Sequence, residues 1–97
     1  MDTKFIYEDD QIVVFNDIRP KADTHVLITA KEHIPSLMSV HEDHAQLMAH
    51  MVCMLPHIAK QLGLKSFRTI INTGAESGQE VNHLHFHLLA GNLRPFG

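Results

Sequence analysis

The chain has 97 residues, of which 44% are hydrophobic and 20% charged, so it can build the core of one small domain and is not a disordered tail. Its net charge is −3, and no run of Lys or Arg exceeds two, which argues against duplex nucleic acid as a partner. No apolar run approaches the ~18–20 residues needed to cross a bilayer, so a membrane partner is not expected.

The first ten residues, MDTKFIYEDD, lack the basic start and apolar stretch of a signal peptide, which predicts a cytoplasmic setting. Lys4–Glu8 and Ile12–Phe15 read as short strands joined by the polar turn Asp9-Asp10-Gln11. Asp17-Ile18-Arg19-Pro20 reads as a strand ending in a turn, because Pro20 disfavours the helical region at Arg19. Thr24–Ala30 alternates and is rich in β-branched residues, so it is a third strand. Ser39-x-x-Glu42 has the spacing of a helix capping box. Leu47, Met48, Met51, Val52, Leu55, Ile58, Ala59 and Leu62 then recur at intervals of three and four. Gly63 is a natural helix stop, and Pro56 should kink or split the helix. His41, His44, His50 and His57 fall here and read as solvated surface residues. Cys53 is the only cysteine, so an internal disulfide and a cysteine-rich zinc site are excluded and a reducing compartment fits. Phe67–Asn72 is apolar and β-branched, Thr73–Gln79 reads as a loop, and Val81–Leu89 is a long strand. Three strands, a helix and two strands predict an α+β domain spanning 1–97. Its sheet should be mostly antiparallel, with the helix on one face.

Nine histidines are many for this length, and three fall within five positions. Alternation in a strand puts His83, His85 and His87 on one face and Leu84, Phe86 and Leu88 on the other, the core side. Three readings compete. An incidental polar face is one, although three imidazoles are a poor way to cover a sheet. A metal site is the second. The outer pair lies four rises apart, roughly 13 Å, so all three cannot reach one ion with bonds near ~2 Å, and a two-histidine site needs a third ligand from elsewhere. The third is nucleophilic catalysis. Neutral imidazole attacks well near pH 7, while neighbouring imidazoles bind an anion or move protons. Phosphoryl transfer suits such a site, since it demands positioning and charge stabilisation.

At these residues the sequence resembles the histidine triad (HIT) family. His83-Leu84-His85-Phe86-His87-Leu88-Leu89 matches the motif His-x-His-x-His followed by two apolar residues. Gly78-Gln79 precedes it at the family spacing, and Asn72 lies eleven residues before His83. Phe15-Asn16-Asp17-Ile18-Arg19-Pro20-Lys21-Ala22-Asp23-Thr24-His25 resembles the segment that closes over the nucleoside, and Lys31-Glu32-His33-Ile34 the stretch that follows. The likeness covers residues 5–91.

The resemblance implies a histidine triad fold: a five-stranded antiparallel sheet with one long helix, dimerising into a ten-stranded sheet. It implies a nucleotide-binding hydrolase or nucleotidyl transferase of the purine nucleoside phosphoramidate type, acting on a purine nucleoside monophosphate conjugate without cofactor or metal. His85 is then the nucleophile, carrying a transient nucleotidyl group; His83 and His25 orient and support it. His87 and Asn72 contact the phosphate. Gln79, Glu80 and Val81 line the phosphate and leaving-group side. Asp17 accepts hydrogen bonds from the ribose hydroxyls, and Phe15 and Ile18 form part of the base pocket. Each has a plainer alternative: Asp17 as a turn residue, Asn72 as a strand cap, His25 as a buried core histidine. Gly78 supplies either a permissive turn or a backbone N–H near phosphate. The sequence starts later than most of the family and ends earlier, without the segments that complete the base pocket and reach the partner subunit. Glu80 stands where one branch has a serine, and Ala90-Gly91-Asn92 replaces Gly-Gly-Arg. The competing functions are a diadenosine polyphosphate hydrolase, a nucleotide-binding module with little turnover, and a two-histidine metal protein.

Overall fold

Alternating apolar residues build five strands: β1 (Phe5–Glu8), β2 (Ile12–Asn16), β3 (Thr24–Ala30), β4 (Arg68–Ile70) and β5 (His85–Ala90). They form one sheet in the order β1-β2-β3-β5-β4, with every neighbouring pair antiparallel. One α-helix, α1 (Ala45–Gln61), covers one face. The structure is a computed structural model and describes residues 4–92; what the sequence leads one to expect of the chain's ends, 1–3 and 93–97, lies outside the described residues. No helix among the described residues is long and apolar enough to cross a membrane.

The core lies between that face and the helix. Ile12 and Val14 of β2, Val26 and Ile28 of β3, and Phe86 and Leu88 of β5 meet Leu47, Met51, Leu55 and Ile58 of α1. Leu84, Phe86 and Leu88 are at most 2% exposed. Each such side chain contributes about 1.5–3 kcal/mol by leaving water. That anchoring holds the opposite face of β5, with its histidines, in a fixed orientation.

The elements differ from the expected ones where backbone partners run out. Asp17–Pro20 is not a strand: the Asp17 carboxylate accepts the Arg19 N–H at 2.8 Å and turns the chain. β5 begins at His85 rather than Val81, because the register with β3 ends at Thr29↔His85; the last residue of β3, Ala30, pairs with Ile12 of β2 and not with β5. His83 therefore lies in a bend before the strand. β4 is shorter than Phe67–Asn72 and pairs only with Leu89, Leu88 and His87.

The helix start also moves. Ser36 caps a 3-10 turn at Leu37–Ser39. A second turn, Glu42–His44, carries the capping box, made by His41 and His44 rather than Ser39 and Glu42. Pro56 does not split α1. It and Val52, whose carbonyl loses the proline's missing N–H, both lie on the exposed side, where that carbonyl is open to solvent. Gly63, at φ +74°, ends the helix. Its N–H bonds Lys60 O and the Leu64 N–H bonds Ala59 O, the two bonds of a Schellman stop.

Nor are the helix histidines all simply solvated. His50 Nε2 lies 2.6 Å from Asp9 Oδ2, and His44 bonds Glu32 at 3.1 Å. Asp9 organises the β1–β2 turn, accepting from the Gln11 and Ile12 N–H groups and the Tyr7 hydroxyl. Burial works against its charge, but these bonds and His50 outweigh it and hold the carboxyl below the usual range.

Candidate active site

The sheet face opposite α1 carries His25, His85 and His87. Its register aligns Phe15, Leu27, His87 and Ile70 in one row across four strands, with Thr29 and His85 paired beside it. Above these side chains opens a cavity of about 710 Å³, within the size range of small-molecule sites. Loops close its sides: Asp17, Ile18, Arg19 and Lys21 on one, Asn72, Gly78, Glu80 and Val81 on the other.

His85 is prepared by its own backbone. Its Nδ1 lies 2.6 Å from the His83 carbonyl oxygen. A carbonyl only accepts, so Nδ1 carries the hydrogen and Nε2 keeps its lone pair. His83 is engaged on both nitrogens. Nε2 donates to the Ala30 carbonyl at 2.6 Å, and Nδ1 faces His33 Nδ1 at 3.3 Å.

A second chain of bonds sets His87. The Lys21 backbone N–H donates to His25 Nδ1 at 3.0 Å, so the hydrogen of a neutral His25 lies on Nε2. That Nε2 is 2.9 Å from His87 Nδ1 and 3.4 Å from Asp17 Oδ2. Accepting at Nδ1 leaves His87 with its hydrogen on Nε2. Both rings are buried, His25 at 3% exposure and His87 at 8%. Burial pushes the His87 pKa down to about 4, and the neighbouring His85 and His25 add to the shift. Burial also lowers that of His25, against the attraction of Asp17. The His85 and His87 ring centres are 4.9 Å apart, closer than strand spacing alone suggests.

Asp17, His25 and His87 bring ligand-type atoms within 4.8 Å of one another. This is not the site weighed from the sequence, which took two neighbouring triad histidines, because only His87 here belongs to the triad. The hydrogen bonds speak against a metal here: with His25 Nδ1 accepting the Lys21 N–H, a metal on Nε2 requires an imidazolate or the loss of that bond. The three groups are better explained as a tautomer-setting chain.

Of the residues expected from the sequence, His83, His85, His87, His25, Phe15, Asp17, Ile18, Asn72, Gly78, Glu80 and Val81 all line the cavity. Ile18 and Val81 are 81% and 61% exposed and form an apolar rim. Gly78 packs against the Asn72 side chain at φ +102°; the space there admits a Cβ, so backbone conformation is what favours glycine. Gln79 does not line the cavity. Its amide donates to the Pro35 and Val81 carbonyls and accepts the Gly74 N–H, bracing the loop that bears Gly78 and Glu80. Leu27 and Thr29 also line the cavity and were not expected there. Counting twos along β3 from His25 would have found both. Lys21 acts through its main chain, for which the sequence carries no signal.

The HIT domain family matches residues 1–93. The purine nucleoside phosphoramidase of Escherichia coli K12 is 42% identical over 94 residues, covering 95% of this chain and 77% of that protein. Protein HitA of Neisseria gonorrhoeae is 45% identical over 85 residues, covering 87% and 79%. Among solved structures, a HIT family hydrolase from Legionella pneumophila superposes with a TM-score of 0.92 at 36% identity, covering 99% of this chain and 88% of that one. A histidine triad protein from Clostridium difficile gives 0.90 at 37%, covering 100% and 86%.

Proposed function

The chain belongs to the HIT domain family, and we propose that it hydrolyses nucleoside 5′-phosphoramidates or related nucleotide conjugates through a nucleotidyl group held on His85. The observation that carries this reading is the lone pair of His85 Nε2, left free by the Nδ1 bond to the His83 carbonyl, beside a cavity of about 710 Å³. In the first step Nε2 bonds to phosphorus as the bond to the leaving nitrogen breaks. In the second, a water oxygen bonds to phosphorus and the P–Nε2 bond breaks, releasing the nucleoside monophosphate. The negative charge of a bound phosphate offsets the burial that keeps His87 neutral. As the His25 Nε2–H turns from His87 to Asp17 Oδ2, His87 Nδ1 takes up a proton at binding; the ring then gives its Nε2 hydrogen to the leaving nitrogen, and the emptied Nε2 accepts one back from the attacking water. His87 Nε2–H and the backbone around Gly78 meet the phosphate charge, so no metal enters a step.

The test is incubation of purified protein with nucleoside phosphoramidates and with dinucleoside polyphosphates, in excess chelator. The expected products are a nucleoside monophosphate and a free amine. Preference for the dinucleotides would favour the diadenosine polyphosphate reading. Tight nucleotide binding without product would make the chain a binding module, and rescue by zinc would reinstate the metal.

Asp17 supports the nucleoside end by accepting from ribose hydroxyls. Its substitution needs care, because the same carboxylate turns the chain at Arg19 and faces His25. Asp17→Ala should weaken nucleotide binding by about 1.5–3 kcal/mol, the worth of hydrogen bonds to a charged group, and slow the chemical step less. Asp17→Asn, which keeps an acceptor for the Arg19 N–H, separates the turn from the charge. Equal affinity of wild type and variant for ribonucleotides would remove the ribose role.

The reading includes a homodimer. β4 lies at the sheet edge with three residues and outward-facing backbone groups, and Val52 and Cys53 are exposed on α1. Sedimentation at micromolar concentration should show a dimer; monomer alone would discard it. A cytoplasmic location accompanies this function, with its nucleotide substrates.

A further inference from the structure

His33 lies outside the cavity lining, exposed to solvent, and the mechanism above does not use it. Its Nδ1 nevertheless lies 3.3 Å from His83 Nδ1, with the two rings 5.4 Å apart and 32° from parallel. The direction of this bond follows from the other end of His83. Its Nε2 must donate to the Ala30 carbonyl, so Nδ1 of a neutral ring can only accept. The hydrogen between the two rings therefore belongs to His33.

His83 needs such a tie because its main chain lies in a bend outside the ladder of β5. Residues 29–34 cradle it instead. Ala30 and His33 hold the ring, the Leu84 N–H donates to the Ile34 carbonyl at 2.6 Å, and the Thr29 hydroxyl donates to the Leu84 carbonyl at 3.0 Å. The Leu84 N–H and the His83 C=O belong to one peptide unit. One end of that unit is bound by Ile34; the other receives the His85 Nδ1–H. Hydrogen bonds at both ends of a peptide polarise and strengthen one another. Whatever holds His83 thereby holds the oxygen that fixes the nucleophile's tautomer.

We propose that His33 is a positioning residue for His85: its Nδ1–H locks the His83 ring on Ala30, and the locked bend presents the carbonyl that keeps the His85 lone pair on Nε2. Both His83 ring nitrogens are used within the protein, so His83, although it lines the cavity, acts on His85 through its main-chain oxygen. The proposal rests on the reading of His85 as nucleophile and adds to it a residue beyond the triad.

The experiment compares His33→Ala, His33→Phe and His33→Gln with wild type, by steady-state kinetics on a nucleoside phosphoramidate and by ¹⁵N NMR of the His85 ring. Alanine removes ring and donor, phenylalanine keeps the ring face, and glutamine restores an N–H donor. His33→Ala and His33→Phe should lose about tenfold in kcat with KM changed by less than about twofold. Their His85 signals should move from a pure Nδ1–H tautomer to a mixture, and His33→Gln should recover both properties. Wild-type kcat and tautomer in His33→Ala, or full function in His33→Phe, would overturn the proposal. If wild type turns over no nucleotide conjugate, the hydrolase reading fails, and the tautomer spectra still decide the role of His33.

Discussion

His85→Ala should fold, retain nucleotide affinity and lose nearly all turnover. The ring projects from the face of β5 opposite the core, so its removal leaves Leu84, Phe86 and Leu88 packed as before. What disappears is the one ring nitrogen whose lone pair the backbone has prepared. Removing a covalent nucleophile from a hydrolase costs on the order of 10⁴–10⁶ in kcat, because the remaining groups only bind and stabilise charge. On the proposed mechanism His87→Ala removes a proton carrier and should cost roughly 10²–10⁴ in kcat. His83→Ala should also be slower than wild type but less damaged than His85→Ala. Rapid quench of wild type with a fast substrate should trap a nucleotidyl group on His85, and His85→Ala should show none. An adduct on His83 or His87, or substantial turnover by His85→Ala, would place the nucleophile elsewhere.

The reach of the sequence is clearest along β5. Strict alternation from Leu84 to Leu88 identified the core side, and the three buried side chains confirm it. The same alternation placed His83 in the strand, because periodicity cannot see where a neighbouring strand ends. The break at His83 follows from β3, whose pairing with β5 stops at Thr29, although Ala30 still pairs with Ile12 of β2. The five strands and the helix were legible as elements; their ends were set by partners in space. The helix start is not legible because histidine is an uncommon cap, and His41 and His44 form a box that no propensity ranking favours. In the site, the residue types were legible and the bonds between them were not. Which nitrogen of His25 bears hydrogen depends on the Lys21 main chain, and Gln79 braces a loop through two backbone carbonyls.

Phe86→Ala should be the most damaging single change to stability. Phe86 is 1% exposed, opposite Ile28 on β3 and within the cluster closed by α1. Truncating a buried phenylalanine costs about 3–5 kcal/mol, transfer and cavity terms together, against a total near 5–15 kcal/mol for a domain. The urea midpoint should fall in proportion with the slope unchanged, since the unfolded chain exposes nearly the same surface. The folded fraction should still form the adduct on His85, because the carbonyl and ring that prepare it lie on the other face. Acid should compound the loss. An unfolded His87 binds a proton near its ordinary 6.5, whereas the native ring does so only near about 4. Between those values the unfolded state binds more protons, so the stability this ring contributes at neutral pH is lost as pH falls from 6.5 toward 4. Phe86→Ala should therefore unfold on acidification at a higher pH than wild type. A loss below about 1 kcal/mol at pH 7 would mean that the site collapses around the cavity, and that burial of Phe86 does not hold the histidine face in place.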